Sequence, residues 1–381
     1  GMSITVGDYD LDGLLDFYVT NYRAAALMDV PNARMNLGVK GGKKIITDFN
    51  GRSVSEPDLV NRFYVDERGG IGEYGEQDSL FRNLGNLRFE RVSFTAGSFL
   101  DAEGSPLTQA PFDWGLAAAF RDFNQDGLPD LYVCNDFDTP DRIWINQGDG
   151  RFRALRSDGL RQSSWFSMGI DFADVNRDGW DDFLTLDMLG SSHHARMTQL
   201  GDISPAQHLI KNPAARPQFL KTCLFMNQGD GGYSEVGQFA GLSATDWAWC
   251  PAFLDVDLDG WEDLLVTNGN ERDGRNLDVA AVLKQLRAQN RMSDDRIFTE
   301  RMRFPRLPTA NQAYRNNRNG TFTELGETWG FAHHGVSHGL AFADLDNDGD
   351  LDAVVNHLNE PLGVYRNETS RPRVAVRLKG R

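Results

Sequence analysis

An all-β fold, a β-propeller of four-stranded antiparallel blades with partly helical insertions on one face, is what three features of this 381-residue sequence predict. A nonapeptide of the form D-x-[DN]-x-D-G-x-x-D recurs five times. A short apolar run follows each copy at once, and a second hairpin signal follows each run. Such self-similarity marks a repeat architecture, whereas a β-sandwich needs no motif in fixed phase.

The copies are DYDLDGLLD from Asp8, DFNQDGLPD from Asp122, DVNRDGWDD from Asp174, DVDLDGWED from Asp255 and DLDNDGDLD from Asp344. The runs behind them, FYVTN, LYVCN, FLTLD, LLVTN and AVVNH, are rich in β-branched and aromatic residues, as strands are. Another short apolar stretch precedes each loop, so each copy is the turn of a hairpin. The second hairpins are LFRNLGNLRFERV from Leu80, IWINQGDGRFRAL from Ile143, LFMNQGDGGYSEV from Leu224 and AYRNNRNGTFTEL from Ala313. Their Asn-x-Gly-type turns separate two strands. The fifth copy is cut down to VYRNE from Val364, with Pro372 to Leu378 as a candidate last strand. The predicted division is a propeller over residues 1–371, then 372–381 as a last strand or the start of a truncated C-terminal domain.

Oxygen-bearing side chains at loop positions 1, 3, 5 and 9, with Gly at position 6 for the bend, describe a hard-cation site that favours Ca²⁺ over Mg²⁺. The carbonyl of position 7 adds a further ligand. The candidate ligands are Asp8, Asp10, Asp12 and Asp16; Asp122, Asn124, Asp126 and Asp130; and Asp174, Asn176, Asp178 and Asp182. The last two loops offer Asp255, Asp257, Asp259 and Asp263, then Asp344, Asp346, Asp348 and Asp352. Up to five Ca²⁺ are therefore expected, coupled to folding because the metal-free carboxylates repel one another. An EF-hand is excluded, because position 12 is Val19, Val133, Thr185, Val266 or Val355 rather than a bidentate Glu. The plain alternative is an acidic turn without metal.

The formal charge of −16 argues against nucleic acid as a partner, and much of it belongs to the loops. No apolar stretch is long enough to insert into a bilayer. Cys134, Cys223 and Cys250 are too few for a disulfide framework and read as buried small hydrophobes.

These hairpins, with their N-x-G-x-F turns, resemble FG-GAP (VCBS-type) repeats of integrin α-subunit propellers. Asp246-Trp247-Ala248-Trp249 and Leu340 to Asp346 look most like the cartilage-acidic-protein-like branch, and Val374 to Arg381 like the first strand of an ASPIC/UnbV domain. The resemblance implies seven blades, calcium in the loops, a role in adhesion or recognition, and an extracellular, cell-surface or periplasmic location. Five repeats are visible here.

Three insertions, at about 24–78, 188–220 and 269–312, fall between the second and third strands and so leave from the end opposite the acidic loops. Asn276 to Leu286 in the third reads as a short helix. Long loops on a rigid scaffold are where function concentrates, so a protein or glycan partner is expected on this face. Segments entering each first strand carry Trp114, Trp165, Trp247, Trp249, His334 and His338 towards it, as a candidate ligand face. Core packing explains the same aromatics equally well. The rival is a polysaccharide hydrolase or lyase at the propeller mouth, with His338 beside Asp113 or Asp246. No catalytic motif frames these residues, so the reading is a non-enzymatic recognition module.

Overall fold

The computed structural model describes residues 2–23, 25–27, 30, 33–66, 69–137, 139–199, 216–289, 299–300, 302–372 and 376. The chain divides into two compact units, residues 1–156 with 281–303 and residues 157–280 with 304–381.

In the first unit, β1 (Ser3–Gly7) and β2 (Asp16–Thr20) flank the first acidic loop. The insertion that follows builds its own three-stranded sheet, β3 (Met35–Lys40), β4 (Lys43–Phe49) and β5 (Arg52–Ser53), then a hairpin of β6 (Phe63–Val65) and β7 (Ile71–Glu73). The chain returns as β8 (Ser79–Asn83) and β9 (Phe89–Val92), giving a sheet in the order β1-β2-β8-β9. The second sheet comprises β10 (Phe99–Leu100), β11 (Gly115–Arg121), β12 (Asp130–Asn135), β13 (Arg142–Asn146) and β14 (Phe152–Ala154). Its order is β10-β14-β13-β12-β11, and β10 runs parallel to β14 as a fifth, outer strand that the repeat pattern did not signal.

Side chains alternate between the two faces of a strand, so these sheets bury one apolar row each. Leu80, Leu131, Val133, Trp144 and Phe152 meet Tyr9 and Tyr18 in one cluster, with Phe94 and Phe99 closing it. Phe99 packs at 5.0 Å edge-on to Trp144 and stacks at 5.5 Å on Phe152. This packing is what holds β10 in place, since two backbone pairs alone would not.

The second unit holds the other three repeats. Its third sheet is β16 (Gly169–Ala173), β17 (Asp182–Leu186), β19 (Cys223–Asn227) and β20 (Tyr233–Glu235). Around it, β15 (Ser163–Ser164) pairs in parallel with β18 (Gln218–Phe219), and the helices α1 (His193–Gln199) and α2 (Gly237–Ala240) flank the second hairpin. The fourth sheet is β21 (Ala248–Leu254), β22 (Asp263–Asn268), β24 (Gln312–Asn316) and β25 (Phe322–Glu324), with α3 (Leu277–Ala288) in the insertion. The expected helix from Asn276 to Leu286 falls on α3. A short pair, β23 (Thr309–Ala310) with β26 (His334–Gly335), ties the insertion back, and α4 (Gly326–Trp329) follows β25.

The fifth sheet has three strands among the described residues: β27 (Ser337–Ala343), β28 (Asp352–His357) and β29 (Gly363–Tyr365). Most of the expected last strand, Pro372 to Leu378, lies outside the described residues, as do parts of all three insertions. Two apolar clusters join neighbouring sheets of this unit, one around Leu184, Leu264, Val266 and Phe322, the other around Leu265, Phe331 and Val355. Cys134 and Cys223 are buried and Cys250 is half-buried, all as free thiols.

Where the first insertion rejoins its sheet, Asp78 is almost fully buried. Its Oδ1 accepts the Asn21 amide at 2.7 Å and its Oδ2 accepts the Tyr18 hydroxyl at 2.9 Å. Burial outweighs these bonds and pushes its pKa up to about 7. An ordinary unfolded aspartate titrates near ~3.9, so between those values the folded chain holds the extra proton. Asp78 thus contributes a loss of stability as pH rises from about 4 to 7, levelling off above. The urea midpoint should fall less over this window in D78N than in the parent chain; parallel pH profiles would contradict the assignment.

Candidate functional site

All five acidic loops fold alike. In each, position 1 accepts two backbone amides: Asp8 takes Asp12 N at 3.0 Å and Gly13 N at 2.9 Å, and Asp255 takes Asp259 N and Gly260 N at 2.8 Å. The same pairs recur at Asp122, Asp174 and Asp344. The position-5 carboxylate then accepts the amide of position 7, as in Asp126 with Leu128 and Asp178 with Trp180. Position 6 needs glycine because its φ is positive, from +86° at Gly13 to +96° at Gly349. Position 4 is also left-handed without being glycine, at Leu11, Gln125, Arg177, Leu258 and Asn347. These three inward amide bonds per loop hold that less favoured conformation.

The position-9 aspartates have a second duty that the motif alone does not show. Asp16, Asp130, Asp182, Asp263 and Asp352 are almost completely buried. One oxygen of each accepts the position-2 amide, from Tyr9, Phe123, Val175, Val256 or Leu345. The other accepts the amide of an asparagine, Asn83, Asn146, Asn227 or Asn316 at the end of the third strand, or Asn367 two residues beyond it. This carboxylate therefore fastens loop to hairpin. Desolvation pushes Asp130, Asp182 and Asp263 up to about 7 in the metal-free chain, and neighbouring loop carboxylates add to the rise.

Those asparagines looked like turn residues in the sequence, yet they also link sheets. Asn146 Nδ2 donates to Tyr9 O at 2.7 Å, Asn316 Nδ2 to Val175 O at 2.9 Å and Asn367 Nδ2 to Val256 O at 2.9 Å. Each reaches the second residue of the preceding loop. Their recurrence in phase with the aspartates was the signal that could have revealed the link.

Three loops gather carboxylate oxygens within 4.8 Å of one another: Asp8, Asp10 and Asp16; Asp255, Asp257 and Asp259; and Asp344, Asp346 and Asp348. The donor set is all oxygen, as a hard cation requires. Asp10 Oδ1 and Asp257 Oδ1 are buried without a hydrogen-bond partner, a costly arrangement unless a cation completes it; Arg371 lies 3.7 Å from the second of them. Both observations fit Ca²⁺. In the second and third loops Asn124 and Asn176 each turn their amide to the position-5 aspartate, at 3.0 and 2.8 Å.

An arginine also approaches the three all-aspartate loops, which sequence reading missed. Arg82 lies 2.6 Å from Asp10, Arg315 lies 2.8 Å from Asp257 and Arg366 lies 2.6 Å from Asp346. The same third-strand position holds Ile145 and Met226 in the two asparagine-bearing repeats. An arginine thus accompanies the extra carboxylate, and at Asp10 it takes Oδ2 while Oδ1 stays without a hydrogen-bond partner.

Antiparallel pairing puts the connection from second to third strand at the end of each sheet opposite its acidic loop, where the insertions leave. Each candidate ligand-face residue has its own local surroundings. Trp114 is buried against Tyr22 and Phe137, at 4.8 and 5.3 Å. Trp165 stacks on Phe166, and Trp247 is half-buried with its Nε1 lacking a partner. Trp249 donates to Gly269 O at 2.6 Å and meets His338 edge-on at 4.6 Å. His334 is exposed, 3.8 Å from Glu327. Of the carboxylates considered beside His338, Asp113 is clasped by Arg142 and Asp246 accepts from Ser191 and Gln312. Burial lowers the pKa of His338.

The FG-GAP-like repeat model matches residues 122–185 and 301–355. No curated protein matches the chain. Among solved structures it is similar to an Agrocybe aegerita lectin, described as recognising non-reducing terminal N-acetylglucosamine, at 14% identity over 96% of this chain and 94% of that one, with a TM-score of 0.35. It is also similar to a Photorhabdus luminescens Tc holotoxin pore at 14% identity and a TM-score of 0.29, over 92% of this chain but 13% of that one. The chain thus carries FG-GAP-like repeats in two places, each spanning acidic-loop sequence of the geometry described above.

Proposed function

We propose that the chain is a calcium-binding recognition module, a β-propeller whose acidic hairpin loops hold structural Ca²⁺ and whose insert-bearing ends dock a protein or glycan. The observation that carries the metal reading is the buried Asp10 Oδ1, which lacks a hydrogen-bond partner inside converging carboxylates. Bound Ca²⁺ would offset part of the negative charge of each loop. The aspartates and asparagines at positions 1, 3, 5 and 9 would hold it. Up to five ions fit the five loops.

The metal sites and the insertions lie at opposite ends of each sheet, which supports a structural ion remote from the partner. The occupied carboxylates of Asp113 and Asp246 support binding over polysaccharide hydrolysis or elimination. Among the described residues no helix is long and apolar enough to cross a membrane. The proposal includes an extracellular, cell-surface or periplasmic setting, with adhesion as the broad role. It also includes kinship with the cartilage-acidic-protein-like branch, on the segments around Trp247 and Phe342.

Thermal unfolding after exhaustive chelation, with calcium and then magnesium titrated back, tests the metal reading. Calcium should raise the Tm by about 5 °C or more, and magnesium by much less. Equal shifts, or none, would leave the loops as ordinary acidic turns.

A further inference from the structure

Two histidines from different strands are stacked at one junction of the second unit. The rings of His333, just before β26, and His357, at the end of β28, lie 4.1 Å apart and 36° from parallel. His333 Nε2 is 3.0 Å from Glu360 in the turn before β29, and His357 Nδ1 is 2.9 Å from the Ser337 hydroxyl of β27. Two glycines make room for the rings. A Cβ on Gly335 would lie 2.5 Å from His333 Nε2, and one on Gly363 would lie 2.5 Å from His357 Nε2. Neither glycine has a positive φ, so the space for imidazole requires them and the backbone does not.

The pair sits where the third insertion rejoins its sheet. The carbonyl of His333 accepts the Asn311 amide at 3.0 Å, and the next two residues form β26, which pairs with β23. Asn311 Oδ1 in turn accepts the Asn268 amide at 3.0 Å. Moving His333 therefore pulls on β23 and, through Asn311, on the end of β22. His357 is the firmer partner, because β28 runs between β27 and β29 and Leu358 N donates to Val336 O at 2.8 Å.

Neutral imidazoles stack without electrostatic cost, but two imidazolium ions at this distance repel. Glu360 balances one positive charge. Among the described residues, the other groups facing the pair bring no second negative charge. Ser337 from β27 and Tyr365 from β29 are uncharged in acid, and Glu327 of α4 lies 3.8 Å from His334 instead. Burial and the neighbouring His333 lower the pKa of His357, partly opposed by Glu360. A histidine released from the pair titrates near ~6.5, so below that pH the parted form takes up a proton that the stacked form resists. The closed junction thus loses stability as pH falls.

We infer that the His333–His357 pair is an acid-sensitive latch: in mild acid its second protonation parts the rings and frees β23 from β26, loosening the strand that returns the third insertion to its sheet. The latch is independent of bound metal. That it would govern a partner rests on the docking proposed above.

Hydrogen exchange of the intact chain in chelator, at roughly pH 7.5 and 5 and corrected for the intrinsic pH dependence of exchange, tests it. Protection of the Asn311 amide and of the β23–β26 pair should fall at least about fivefold in acid in the parent chain. His357→Asn can keep a bond to Ser337 but cannot take a charge, and should hold its protection within about twofold. His333→Gln keeps a donor for Glu360 and should behave alike. Each variant is compared with itself at the two pH values, so a general weakening does not imitate the result, and the loop carboxylates are common to all three chains. No acid loss in the parent, or the same loss in the parent and both variants, overturns the inference. Because exchange is read without a partner, that failure leaves the docking proposal untouched.

Discussion

In the metal-free protein, Asp263→Ala is expected to destabilise the second unit by about 3–5 kcal/mol. The carboxylate is buried and accepts Val256 N at 3.1 Å and Asn316 N at 2.9 Å. Alanine leaves both amides without a partner in a site too small for free access of water, and each orphan costs about 1–3 kcal/mol. Asn316 also donates to Val175 and Glu262, so loosening it disturbs the junction with the third sheet. Asp255→Ala removes two amide bonds as well, but from the more open position 1, and should cost only about 1 kcal/mol. Urea unfolding of both variants in chelator measures the difference. Equal losses would mean that position 9 has no special part in joining loop to hairpin.

Gly269→Ala should be comparably damaging, at about 4 kcal/mol, for a steric reason. Gly269 directly follows β22 with φ at +110°, where an alanine side chain is strained. A Cβ there would also lie 2.1 Å from Gly335 O, a backbone atom that cannot swing aside. Relief would require separating β22 from the short β26 segment, along with the Trp249 bond to Gly269 O. A melting temperature within a degree or two of the parent would show that this junction yields more easily than its geometry implies. Gly13, at φ +86° with open space around it, provides the comparison, since alanine there meets strain without collision.

The repeats were legible because their signals are local. Each acidic loop contains the aspartates that accept its own amides, and each adjoining run has the residue types of a half-buried strand. The loops, the antiparallel hairpins and the helix at Leu277–Ala288 all follow from residues close in sequence. Less legible were features that depend on what a segment packs against. The strands of the first insertion, β3 to β7, lack a repeat partner, and β10 is two residues long. Phe99 keeps β10 in the sheet only because Trp144 and Phe152 are there to receive it.

The candidate site divides in the same way. The oxygen donors at positions 1, 3, 5 and 9 could be listed from spacing alone. That Asp16 and its counterparts also bind the distant Asn83-type amides could not, because the bond spans 67 residues in the first repeat. The arginine clasp was hidden for the same reason, since Arg82 and Asp10 meet only when the third strand lies beside the loop. The contacts of Trp114, Trp249 and His338 were hidden likewise, because their partners Tyr22, Phe137 and Gly269, and for the last two each other, lie far off in the sequence.

The sequence by itself determined the repeat unit, its acidic turns and its strand order, since the code for each lies within one hairpin. Tertiary structure decided which aspartates fasten hairpins and which loops carry an arginine. Those outcomes depend on contacts between residues tens of positions apart, whose partners exist only once neighbouring strands are side by side.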